Sequence, residues 1–354
     1  MIPKDRTSAL AIGLLVLTAL TVRLIELDQH FLLIDEGFVG VAARDIAFNN
    51  TPMWDAVSNA PYVWGLAQLI SILGDTPFVL RLPSALFGAS VSVLIFLFLR
   101  RWAGQKTAVL SAAIYALHPF GAAFTRVAFV DALQLPVLLL AVAAIDNYLL
   151  KHERRWLWIA LISAAIAFIL KYNALAILGC WMFVGLLLGR YPIKRSIGAG
   201  LGIVVLSLGT LLLWPFNAPV WFFSFLAKGG SYDSNYIINF YEFAYRHVVF
   251  GTATLPIAII GYALARFSLD KEIAQRFDHL VVFSLAYYAL LLILGRPFQR
   301  YLLVLTVPVA MVYAMIVVQG YRASRRWIAE RDLLDLLRAA AGLAVTLGIL
   351  IHGT

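Results

Sequence analysis

Charge is scarce in this chain. Asp, Glu, Lys and Arg make up 13% of its 354 residues, while 62% are hydrophobic. A soluble domain carries about 25% charged residues, so the deficit excludes a soluble fold of this size and points to a polytopic membrane protein. Strict polar–apolar alternation is also missing, which excludes barrel strands. The one cysteine, Cys180, lies inside an apolar run, so an internal disulfide is excluded and no compartment is indicated. Neither an internal repeat nor a low-complexity tract is visible.

Acidic side chains are few as well, 19 against 28 basic ones, for a net charge of +9. Among membrane spans such an excess first reports topology, and no nucleic-acid partner is expected. Apolar runs of roughly 17–22 residues, the length a ~30 Å hydrocarbon core demands of a helix, recur near 8–27, 82–99, 105–121, 131–150, 156–171, 173–189, 197–214, 248–266, 279–295, 301–319 and 334–351. The fold class expected is therefore an all-α membrane protein with about eleven transmembrane helices, N-terminus inside. The first run is too long for a cleaved signal peptide. Asp335 and Arg338 in the first turn of the last run weaken that span.

Most basic residues fall on one face in tight clusters, such as "RRWAGQK", "KHERR" and "RYPIKR", which the positive-inside rule assigns to the cytoplasm. Arg23, Arg44, Arg81, Arg126, Lys171, Lys228, Arg246, Arg296 and Arg300 sit mostly singly on the other face. There they share the boundary with acids that include Asp35, Glu36, Asp75 and Asp131. Charge held at a membrane boundary calls for a partner or a task, so an outward-facing site is expected. Two outer loops are long, 28–81 and 215–247. In the first, "PYVWGLAQLISILGDTPFVL" is too short for a span and reads as an interfacial helix broken at Gly74 and Pro77. Trp54, Tyr62 and Trp64 suit that depth. The second loop is aromatic-rich around a "KGGS" break and reads as a lid or substrate wall, or as interfacial anchoring.

The adjacent Asp35 and Glu36 in "HFLLIDEGFVGVAARDI" admit three readings: loop hydration, a metal site, or acid–base work. Their apolar flanks favour partial desolvation, which makes a carboxylate a better base. Successive helical residues project about 100° apart, so only one of the two faces a given substrate. Asp131 opens a span near Arg126, either as a structural pair or as a second catalytic acid. Lys171 interrupts two spans with almost no loop between them, by snorkelling or by reaching a site. Together Lys171, Arg246, Arg296 and Arg300 would neutralise a phosphate at the membrane surface. No third carboxylate stands at fixed spacing, so no metal ligand set is assigned, although a divalent cation remains compatible with two or three carboxylates.

The order "DEGFVGVAAR", "NAPYVW", "RLPSALFGA" with its apolar span and "RR", "R…D", an isolated Lys and a late "RYLL…P" resembles the GT-C glycosyltransferases over about residues 8–320. Protein O-mannosyltransferases and lipid A aminoarabinose transferases are the nearest groups. That resemblance implies the GT-C fold as one domain over 1–354. It also implies inverting sugar transfer from a polyprenyl-phosphate donor to a lipid-linked glycan, lipid or other glycoconjugate acceptor. The reaction would take place at the periplasmic or extracellular face of the cell membrane. Asp35 would be the general base, with Glu36 and Asp131 as catalytic partners. Arg44, Arg81, Arg126, Lys171, Arg246, Arg300 and Tyr301 would surround the donor phosphate. Ala60 replaces a basic residue of the aminoarabinose transferases, so one phosphate contact is absent or moved. A transporter or flippase is the rival reading. It would place charges near the midplane on interrupted helices, often in inverted repeats, and a catalytically silent relative is a second rival.

Overall fold

The computed structural model describes residues 6–29, 34–49, 51–52, 60–213, 244–249, 254–293, 299–330 and 332–352. The second long loop expected at 215–247 lies outside them except for its last four residues, as does Trp54. Every described regular element is helical: α1 Arg6–Leu24, α2 Ile34–Phe48, α3 Ala60–Leu73, α4 Pro77–Leu99, α5 Gln105–Leu117, α6 Pro119–Arg126, α7 Val130–Lys151, α8 Arg154–Leu170, α9 Ala174–Leu187, α10 Ile193–Leu213, α11 Thr254–Arg266, α12 Lys271–Ile293, α13 Thr306–Glu330 and α14 Leu333–His352. A π-turn, Ala244–Val248, and a 3₁₀ turn, Gln299–Leu305, precede α11 and α13. The chain forms two compact units: Arg23–Val91 with Ala123–Ser231, and Met1–Val22 with Ser92–Ala122 and Tyr232–Thr354.

All eleven expected spans coincide with a helix. By length and composition, seven described helices can cross a membrane, or eight if a bent pair counts as one span. The bent pair is α5 and α6, which meet at 58°. The cause is Pro119, which lacks an N–H and pushes the preceding residue out of the helical region; His118 sits at φ −63, ψ 115. The remaining expected spans fall on α8, α9 and α11, of 17, 14 and 13 residues.

Contacts within the unit that holds α7 show that α8 and α9 still travel its length. Lys171, after α8, pairs with Asp131 in the first turn of α7. Arg190, after α9, pairs with Asp146 nearer its far end. At 1.5 Å per residue those two acids are roughly 22 Å apart along α7, so α8 runs out and α9 returns. The far end is pinned further by Tyr191, whose hydroxyl donates to Asp146, and by the Trp181 indole N–H, 3.0 Å from the Tyr191 oxygen.

The same unit packs α3 through Tyr62, Val63, Leu66, Ala67 and Ile70, one helical stripe, against Ala43 of α2, Val79 and Leu80 of α4, and Ala128 and Val130. Tyr62 is thus buried in protein rather than held at an interface, whereas Trp64 is exposed. In the other unit α13 and α14 pack with their backbones in close approach. A Cβ on Gly320 would stand 2.8 Å from the Gly342 Cα, the kind of contact that small residues permit between membrane helices. The two charges that weakened the last expected span are consumed there. Arg338 and Arg326 each donate to Asp335 at 2.9 Å, and Arg338 Nε also reaches the Leu264 carbonyl at 3.0 Å.

Candidate active site

The first turn of α2 separates the paired acids as helical geometry requires. Glu36 is fully buried and Asp35 is exposed. Glu36 Oε1 accepts from Arg81 Nε at 2.9 Å and from the Ala128 N–H at 2.8 Å, while Oε2 accepts from Arg81 Nη2 at 2.9 Å. Arg81 Nη1 donates to the Leu27 carbonyl at 2.8 Å. A planar guanidinium fork on a carboxylate is the arrangement in which arginine outperforms lysine. Each member of this pair answers the buried charge of the other and ties α2, α4 and the segment before α7 together.

Three residues beyond Ala128, Asp131 opens α7 and is 8% exposed. A carboxylate there is favoured by the positive end of the helix dipole. Lys171 Nζ donates to both its oxygens, at 2.6 and 2.8 Å. The acid therefore pairs with Lys171. Arg126, the nearer cation in sequence, instead donates to the Ile25 carbonyl. Between the Glu36 and Asp131 anchors lies Tyr62, whose hydroxyl is 3.3 Å from Ser84 Oγ; Ser84 in turn donates to the Phe129 carbonyl at 3.2 Å. Burial first, then the negative charges of Glu36 and Asp131, push the Tyr62 phenol well above its ordinary value against the lowering pull of Ser84. It stays a neutral hydroxyl.

The other sequence candidates are placed as follows. Arg44 is exposed on α2 and forms an ion pair with Asp75, a surface contact worth ~0–1 kcal/mol. Arg300 and Tyr301 lie on the 3₁₀ turn of the second unit, the guanidinium 5.9 Å from the Tyr301 ring centroid. The backbone of Arg246 belongs to the π-turn, and its side chain is outside the described residues, as is Arg296. No group of three or more His, Cys, Asp or Glu able to hold a metal occurs among the described residues.

Sequence reasoning missed Gln134, Asn173 and Thr125. Arg23 is fully buried and donates through Nε to Thr125 Oγ1 at 2.8 Å. A buried glutamine inside an apolar span was the available signal for Gln134.

Residues 60–214 match a protein family described as dolichyl-phosphate-mannose-protein mannosyltransferase. That segment runs from α3 to the end of α10, so it contains Asp131 and Lys171 and excludes Asp35. No curated protein matches the chain in sequence. The apo structure of ArnT from Cupriavidus metallidurans is similar, with a TM-score of 0.61 at 15% identity, over 98% of this chain and 70% of that one. ArnT bound to undecaprenyl phosphate gives 0.59 at 17% identity, over 96% and 70%. An Archaeoglobus fulgidus oligosaccharyltransferase in complex with zinc and sulfate gives 0.54 at 12%, over 94% and 53%. The resemblance to GT-C membrane glycosyltransferases carried by the motif order is borne out, and this multi-pass membrane chain has their fold.

Proposed function

We propose that this protein is an inverting glycosyltransferase that moves a sugar from a polyprenyl-phosphate donor to a lipid-linked glycan, lipid or other glycoconjugate on the non-cytoplasmic face. The observation that carries the reading is the division of labour at "DE". Glu36 is spent on Arg81 and the Ala128 N–H, three residues before the Asp131 that pairs with Lys171, while Asp35 on the same helical turn is exposed. The undecaprenyl phosphate bound by the similar ArnT structure supports a polyprenyl phosphate as carrier, and the family match supports a phosphate-linked sugar.

In this reading the Asp35 carboxylate takes the proton of the acceptor hydroxyl as that oxygen attacks the anomeric carbon. The bond from the anomeric carbon to the phosphate oxygen breaks, and polyprenyl phosphate departs with the electron pair. Lys171 offsets the charge that develops on the phosphate. A cation held in place before the reaction stabilises such developing charge without reorganisation. Arg81 and Glu36 act by position, holding the turn that presents Asp35. For Arg126, Arg246, Arg300 and Tyr301 a role at the phosphate rests on the sequence resemblance, and Arg44 with Asp75 borders the helix that carries the base.

The test is donor turnover by purified protein in nanodiscs, with a panel of polyprenyl-phosphate sugars and a membrane lipid extract as acceptor source. Release of polyprenyl phosphate should fall roughly 10²–10⁴-fold in Asp35→Asn, the usual share of a general base, with donor binding retained. A wild-type protein that binds no donor of the panel would remove the glycosyltransferase reading and leave transport as the next assay.

A further inference from the structure

We propose that Gln134 is a positioning residue for Lys171, fixing the backbone at the one extended residue from which the ammonium reaches Asp131. The catalytic consequence rests on the donor-phosphate role given to Lys171 above; the positioning itself does not.

Gln134 follows Asp131 by one helical turn, so both side chains project from the same face of α7. Its side chain is 2% exposed. The amide nitrogen lies 3.0 Å from the Ala167 carbonyl, 2.8 Å from the Lys171 carbonyl and 2.9 Å from Asn173 Oδ1. Two backbone carbonyls can only accept, so they fix which end of the amide faces them.

Those carbonyls bracket the interruption between α8 and α9. The Lys171 N–H donates to the Ala167 carbonyl at 3.0 Å, and the Ala174 N–H to the Lys171 carbonyl at 3.1 Å. Lys171 itself is extended at φ −161, ψ 130. Gln134 thus offers a second donor to each carbonyl at the break, from a side chain that is itself buried. Asn173 stands at the N-cap of α9 yet makes no side-chain cap; its Oδ1 lies 2.9 Å from the Gln134 nitrogen, whose two hydrogens are shared among three acceptors. One turn of α7 therefore holds Lys171 at two points, the ammonium through Asp131 and the backbone through Gln134.

A glutamine that merely satisfied loose carbonyls would affect folding and leave the Lys171 ammonium where it is. The two roles separate by experiment on the full chain in nanodiscs. Lys171 modification by acetic anhydride at fixed pH is quantified by mass spectrometry and normalised to the exposed Lys194. The variants are Gln134→Leu, which removes the amide, and Gln134→Asn, which keeps it one carbon short and guards against a leucine variant that fails to fold. Both should raise the Lys171 modification rate by about fivefold or more as its hold on Asp131 loosens. Unchanged Lys171 reactivity in a folded variant overturns the proposal.

Donor turnover supplies the second arm. Gln134→Leu should lower kcat about tenfold and add nothing in a Lys171→Met background, because residues acting through one another are non-additive. Independent, multiplying losses would overturn the proposal. Raised Lys171 reactivity in a protein whose wild type turns over no donor would uphold the positioning and remove the donor reading.

Discussion

At the scale of single residues, the neighbours Asp35 and Glu36 have the same charge and opposite consequences. Glu36 is fully buried against Arg81, so Glu36→Gln leaves a buried guanidinium without its counter-charge, a loss of about 3–5 kcal/mol. Asp35 is exposed, and Asp35→Asn, which keeps the side chain's shape and hydrogen-bonding capacity, should cost clearly less than Glu36→Gln. Thermal unfolding in detergent checks both: a large fall in Tm for Glu36→Gln and a smaller one for Asp35→Asn. Glu36→Gln combined with Arg81→Met should be more stable than Glu36→Gln alone, because the orphaned charge goes with its partner. If the double variant is the worst of the set, the pair is no isolated electrostatic unit. The sequence made both acids visible, since "DE" between apolar flanks is unusual. It could not reveal which was the anchor, because Arg81 and Ala128 are 45 and 92 residues away. The same holds for Lys171, legible as an isolated cation but matched in the fold to an acid 40 residues earlier.

At the scale of elements, a helix lies at every apolar run but its ends differ from those of the run, for a physical reason. Run length reports the apolar thickness to be crossed, whereas a helix continues while its backbone bonds do. Thus α13 extends to Glu330 through "YRASRRW" and α12 begins at Lys271, both well beyond their apolar cores. Conversely, Pro119 marked the α5–α6 break in plain view, and a run of apolar residues concealed it. Packing at glycines was less legible, because a glycine in an apolar helix looks the same with or without a neighbour. Gly320 would place a Cβ 2.8 Å from the Gly342 Cα and 2.9 Å from the Arg338 carbonyl oxygen, while Gly198 has nothing within 4 Å. Gly320→Ala should therefore force α13 and α14 apart at a cost of about 1–3 kcal/mol. Gly198→Ala, on α10, should be neutral or stabilising by up to ~1 kcal/mol. Comparable Tm values for the two variants would mean that the α13–α14 contact is looser than the backbone approach implies.

At the scale of the molecule, the distribution of charge decides what helix length leaves open. Among the described residues seven helices qualify as spans on length, or eight with the bent pair, against eleven expected from the apolar runs. The basic clusters near 100–106, 151–155, 190–195, 266–276 and 322–338 follow one another along the chain; among the described residues two helical passes separate the first from the second, the second from the third and the fourth from the fifth. Positive-inside topology puts all five on one face, which holds only if both passes of each pair cross, or neither does. The α8–α9 pair meets this condition through its end contacts with α7. For the clusters on either side of α5–α7, the rule then requires the bent pair to cross if α7 does. Cys180 is the chain's one cysteine, so Cys180→Ala gives a clean background for accessibility mapping. In it, Asp28→Cys should react with a membrane-impermeant maleimide in intact cells. Gln105→Cys, Lys151→Cys, Lys194→Cys, Asp270→Cys and Arg325→Cys should react only after permeabilisation. Opposite behaviour of Gln105→Cys and Lys151→Cys would mean that the bent pair turns back within the membrane. Opposite behaviour of Lys194→Cys and Asp270→Cys would put those two clusters on opposite faces. Because Asp28 lies just ahead of the helix that carries Asp35, its labelling also decides the proposed face of the chemistry: a cytoplasmic Asp28 would put the base on the side where the basic clusters lie and overturn an outward-facing site.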